Sequence, residues 1–221
     1  MNPQLARLLQ LASPTLPVGA YTYSQGLEWA VDSGVIRDEA SALQWIGDLL
    51  QGSVGRFEAP LLAQMSVACA AQDLPRLTQL NARYLASRES AELRAETLQM
   101  AYSLLRLLDE LNTEAVLARQ LSTPTFPAVW ASVAQAWEIE AADALSAYLW
   151  SWIENQTMAA LKTVPLGQSA GQRILLALGQ QIAALTQQAR AMQEMDYSNF
   201  APGFAIACSR HETQYSRLFR S

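Results

Sequence analysis

The sequence predicts an all-α fold, a single globular bundle of about ten helical segments with a partly flexible C-terminal tail. Three observations predict it. Apolar residues recur at three- and four-residue spacing, no stretch alternates with the two-residue period of a strand, and Pro, Gly, Asp and Ser punctuate the periodic runs. With 221 residues, 51% hydrophobic and only 16% charged, the chain is long enough for one full core. So few charged groups to cover it also point to apolar surface buried against a partner or a second copy.

The elements follow in order. Pro3 to Leu11 places Leu5, Leu8 and Leu9 on one face and stops at Ser13-Pro14. Residues 13–26, with two prolines and two glycines, hold neither period and form a loop, after which Ser24 is placed to cap a helix from Gln25 to Asp32. Asp38 caps the next helix, whose stripe of Leu43, Trp45, Ile46, Leu49 and Leu50 is broken by Gly47, Gly52 and Gly55. Pro60 fits the first turn of a helix to about Ala71, and Asp73 caps another through Leu77, Leu80, Tyr84 and Leu85. From Ser90 to Leu111 a long amphipathic helix puts Glu92, Arg94, Glu96, Arg106, Asp109 and Glu110 on its wet side. Leu93, Leu98, Met100, Ala101, Leu104, Leu105 and Leu108 form its dry side. A short helix over Thr113–Leu121, then helices over Ala128–Trp137, Ala141–Thr163 and Gln168–Met195, complete the bundle, which defines a domain of residues 1–195. Residues 196–221 form a separate tail rich in aromatics and arginines, the residue types that anchor interfaces.

Between the last two helices lies the least helical stretch, Lys162-Thr163-Val164-Pro165-Leu166-Gly167-Gln168-Ser169-Ala170-Gly171-Gln172-Arg173. Pro165 lacks an amide hydrogen and pushes Val164 out of the helical region. Lys162 at its edge is the only lysine in the chain.

Several functions are excluded. A formal charge of −5 and a pI of about 4.9 disfavour nucleic acid. Apolar runs are interrupted before the roughly 18–20 residues of a membrane span, and Met1-Asn2-Pro3-Gln4 lacks the pattern of a secretory leader, so a cytoplasmic protein with Cys69 and Cys208 reduced is expected. Lys162-Thr163 ends like a phosphate-binding loop, but Gln156 and Leu161 stand where that loop needs glycine. No nucleophile elbow accompanies the sole histidine, His211, and the carboxylate pairs Asp109/Glu110 and Glu138/Glu140 fall on solvated helix faces. Cys208 and His211, three residues apart, could face one metal ion but fall short of a closed site unless a second copy adds ligands. No catalytic constellation remains, and the expectation is a non-enzymatic binding protein without a cofactor.

Three separated stretches carry a resemblance. They are Leu8-Leu9-Gln10-Leu11-Ala12-Ser13-Pro14-Thr15-Leu16-Pro17-Val18-Gly19-Ala20-Tyr21-Thr22-Tyr23-Ser24-Gln25-Gly26-Leu27-Glu28, then Val164-Pro165-Leu166-Gly167-Gln168 with Gly171-Gln172, and the ending Arg210-His211-Glu212-Thr213-Gln214-Tyr215-Ser216-Arg217-Leu218-Phe219-Arg220-Ser221. Together they resemble the UreF family of urease accessory proteins, with Ala20 and Ala101 where that family often has glycine. The resemblance implies an all-α, non-catalytic maturation factor that forms a homodimer. It would join UreD (also called UreH), which contacts urease, to the GTPase UreG, and couple GTP hydrolysis to nickel insertion into urease. Lys162, Gln168 and Gln172 flank the fixed break and, with Glu28, are expected to face UreG; by the resemblance the tail, through Tyr215, Arg217, Leu218 and Phe219, is expected to meet UreD. Two alternatives are a direct metallochaperone holding nickel on Cys208 and His211, and a helical enzyme of unknown class.

Overall fold

The computed structural model describes residues 2–113 and 116–221 and shows an all-α fold of eleven α-helices, with no strand among the described residues. They are α1 (Pro3–Leu11), α2 (Leu27–Asp32), α3 (Glu39–Leu49), α4 (Ala59–Ala70), α5 (Leu74–Ala86), α6 (Ala91–Glu110), α7 (Phe126–Ala136), α8 (Ala141–Thr163), α9 (Gln168–Gly179), α10 (Ile182–Ala191) and α11 (Pro202–His211).

Local chemistry sets most boundaries. Asp38 accepts the Ser41 amide at 2.9 Å while the Ser41 hydroxyl binds back to the Asp38 amide at 3.1 Å, a closed capping box. Asp73 and Ser90 accept the amides of Arg76 and Leu93 at 2.9 and 3.1 Å, which orients α5 and α6. The centre of the bundle is α7, buried along Phe126–Ala134 and packed by α4, α6 and α8. Trp130, the largest fully buried side chain, satisfies its indole by donating to the Ala144 carbonyl at 3.0 Å and stacks edge-on against Tyr148 and Phe126.

Four expectations change. The glycine-rich break after Leu49 does not interrupt the chain's path. Leu50–Glu58 winds as a π-helix that joins α3 to α4, with the Ala59 amide reaching back to the Val54 carbonyl. Gly55 is required there, because a Cβ would stand 2.7 Å from the Leu50 carbonyl oxygen and 3.0 Å from Leu185. The expected helix over residues 168–195 is two helices, parted after Gly179, where a Cβ would lie 3.2 Å from the Trp150 ring. The short helix expected over Thr113–Leu121 is a 3₁₀ turn at Leu117–Gln120, and its residues 114 and 115 lie outside the described residues. Finally, Pro202-Gly203-Phe204 does not mark an irregular tail. Pro202 occupies the first turn of α11, where its missing amide costs nothing, and α11 packs on α2. No described helix is long and apolar enough to cross a membrane.

Candidate functional site

The loop after α1, the start of α2, the first two turns of α6 and the chain from α11 to Ser221 meet at one place, and Gly26 lets them meet. Its φ of +76° is in the left-handed region, and a Cβ there would stand 2.9 Å from the Cys208 nitrogen and 3.0 Å from the Ala207 carbonyl carbon. With no side chain, α11 can lie directly against the turn into α2. Ser24, expected to cap that helix, sits two residues before the actual N-cap, Gly26. Its hydroxyl still accepts the Glu28 amide in the first turn of α2 at 3.3 Å and also donates to the Ser221 carbonyl at 2.6 Å, and the Ser24 and Gln25 amides donate to the same oxygen at 2.6 and 3.1 Å.

Glu28 was expected on a partner-facing surface, and the structure turns it inward. It is 8% exposed, and its carboxylate accepts the Leu218 amide at 2.6 Å, the Phe219 amide at 3.0 Å and a contact from His211 Nε2 at 3.1 Å. The physical reason is that backbone amides brought into a bundle without helical partners need acceptors, and a carboxylate on α2 supplies one for both. His211 is fully buried between two carboxylates, with Nδ1 2.7 Å from Glu92 and Nε2 3.1 Å from Glu28. Glu92 also binds Arg217, and Glu212 accepts the Ala91 amide at 2.7 Å at the start of α6. These contacts correct the reading of Glu92 and Glu96 as wet-side residues.

One turn deeper, Glu96 is 5% exposed and accepts from Gln25 Nε2 at 2.7 Å and from the Ser221 hydroxyl at 3.0 Å. Burial pushes its carboxyl up to about 7, offset in part by those two hydrogen bonds. Behind it, Glu58 and Arg88 form a buried pair at 2.6 Å, and the hydroxyls of Tyr148 and Tyr84 donate to Glu58 at 3.2 and 3.4 Å. A cavity of roughly 80 Å³ reaches this cluster, lined among others by Leu11, Tyr21, Gln25, Trp152 and Asn155. Sequence reasoning missed Glu58, Arg88 and the inward role of Glu96, because their partners are remote in the chain.

The weak metal pair is committed elsewhere. Both ring nitrogens of His211 face carboxylates, and burial, then the nearby Glu96 charge, push the Cys208 thiol up so that it keeps its proton. Among the described residues no group of three His, Cys, Asp or Glu side chains converges on a metal position.

Lys162 lies at the edge of this region. Its ammonium is 5.4 Å from the centroid of the Phe219 ring and 3.5 Å from the Tyr21 carbonyl. Phe219 is buried, whereas Tyr215, Arg217 and Leu218 are exposed. Thus Lys162 and the tail, expected as two separate surfaces, adjoin. Gln168 and Gln172 are exposed on the first turns of α9, which follows its N-cap Gly167 and packs on α8 through Gly171, where a Cβ would meet Leu161 at 2.7 Å.

A family model described as UreF matches residues 36–179. The urease accessory protein UreF of Dechloromonas aromatica is 60% identical over 223 residues, covering 99% of this chain and 98% of that protein. Its counterpart from Azoarcus sp. is also 60% identical, over 98% of this chain and 95% of the relative. The counterpart from Pseudomonas fluorescens strain SBW25 is 48% identical over the whole of both. The chain belongs to the UreF family of urease accessory proteins.

Proposed function

We propose that this chain acts in the cytoplasm as a non-catalytic adaptor, a homodimer that joins UreD (UreH) to the GTPase UreG while nickel is inserted into urease, with GTP hydrolysis coupled to metal transfer. The observation that carries this reading is the joint surface made by Lys162 and the tail. Leu218 projects outward from an amide held by Glu28, with the exposed Tyr215 three residues before it, while Phe219, one residue on from Leu218, is the buried anchor under the lysine. An exposed leucine on a held backbone loses little freedom on docking, and an exposed tyrosine beside it supplies a residue type that anchors interfaces, which favours a protein partner. Lys162 and the exposed glutamines of α9 form the polar face that we assign to UreG, and Tyr215, Arg217 and Leu218 the face that we assign to UreD, with Phe219, expected on that face, buried beneath it as its anchor. Glu28 is then a positioning residue for the second face, acting from beneath it. Domain and tail, divided at residue 195, keep separate roles in this proposal, the bundle serving as the platform and residues 196–221 as the docking strand.

Co-purification of UreD and UreG with tagged wild-type chain and with Lys162→Ala and Arg217→Ala variants tests it. Loss of UreG with the first variant and of UreD with the second is expected. Retention of both partners at wild-type levels by both variants would overturn the assignment of faces.

A further inference from the structure

We propose that residues 211–221 form a latch released as pH rises, with His211 held as an imidazolium between Glu28 and Glu92. A neutral imidazole has one N–H and one bare lone pair, so it can satisfy only one carboxylate. Here each ring nitrogen lies within hydrogen-bond distance of a different carboxylate oxygen, and the ring is fully buried. Two N–H groups therefore fit this geometry, and losing one would set a lone pair against a carboxylate with no water to separate them.

The same carboxylates hold the segment that follows. Glu28 accepts the Leu218 and Phe219 amides, and Glu92 binds Arg217. Repulsion at the ring thus acts on the groups that pin the strand. The charged and titratable groups around the ring are Glu28 from α2, Glu92 and, a turn further, Glu96 from α6, with Glu89 ahead of that helix. Arg217 and Glu212 come from the segment itself, Cys208 from the preceding turn of α11, and Arg88 stands behind Glu96. Arg217 offsets one of the two carboxylates beside the ring, which leaves the second dependent on the ring's charge. The latch rests on the chain's own geometry and not on the partner reading above, so either can fail alone.

Because His211 is the only histidine, its ring signals in NMR spectra of the full chain are unambiguous. The experiment follows those signals from about pH 6 to about pH 9, alongside hydrogen exchange of the Leu218 and Phe219 amides corrected for intrinsic rates. The expected result is a doubly protonated ring at the acid end and a loss of amide protection of at least about tenfold that shares the ring's midpoint. In His211→Gln, the fall in protection at the wild-type ring's midpoint is expected to be absent, and any smaller change that remains is expected to follow Glu96 near pH 7. A ring that is neutral throughout, or protection that stays flat while the ring titrates, would overturn the proposal. Protection that falls equally in His211→Gln would also overturn it. If that variant does not fold, the two wild-type midpoints decide the question.

Discussion

Glu92 and Glu96 stand one turn apart on α6 and reach the same strand, yet they hold it by different physics. At the rim Glu92 meets the His211 ring and the Arg217 guanidinium, so its charge is matched by that of Arg217. Deeper in, Glu96 meets only an amide and a hydroxyl, and burial pushes its carboxyl up to about 7. The contrast teaches that a carboxylate's neighbours, more than its place on a helix, decide whether its charge holds a contact or strains it. It also gives the region one pH direction. A raised carboxyl favours the folded state while protonated, so its contribution fades as pH climbs from the ordinary carboxylate range through about 7.

The largest test of the contrast is Glu28→Ala. Removing the shared acceptor leaves two backbone amides and one nitrogen of a buried ring unpaired, a cost of about 3–5 kcal/mol by analogy with broken buried pairs. Urea unfolding would read it, and a loss below about 1 kcal/mol would mean that water satisfies these groups unaided. Next is Glu96→Gln, which keeps a hydrogen-bonding amide and removes the titration. Between about pH 4.5 and about 7 the wild type should lose about 3 kcal/mol that the variant keeps. Parallel slopes of stability against pH in the two proteins would contradict the burial of Glu96. Gly26→Ala should cost about 1–3 kcal/mol from its positive φ, with further displacement of α11, and selective loss of amide protection over residues 204–211 would locate the damage. The smallest effect on stability is Lys162→Ala, within about 0.5 kcal/mol, because its ammonium is exposed and its contact with Phe219 is partly screened. A thermal scan checks this, and an unaltered scan together with lost UreG capture would separate docking from folding.

Much of this was legible in the sequence where the signal is local. Asp38, Pro60, Asp73, Ser90 and Pro165 set helix boundaries by chemistry that acts within four residues. The α2 loop and the last residues stood out as stretches unlike their surroundings, and the structure brings them together. What escaped was non-local. Glu96 shares a helix face with solvated residues, and its partners Gln25 and Ser221 lie 71 and 125 positions away. Glu28 looked like a surface group because nothing nearby in the chain needs it, while the amides it serves are 190 and 191 residues on. The π-helical stretch and α11 were missed for another reason, since Gly52, Gly55, Pro202 and Gly203 read as breaks until packing supplies their purpose.

The central claim is that this chain positions other proteins and makes or breaks no bond itself. It is tested most directly by the nickel content of urease after incubation of the apoenzyme with UreD, UreG, GTP and nickel, with and without the purified chain. The account predicts nickel-loaded urease only when the chain is present, with the chain recovered chemically unchanged. Equal nickel loading in its absence would contradict it.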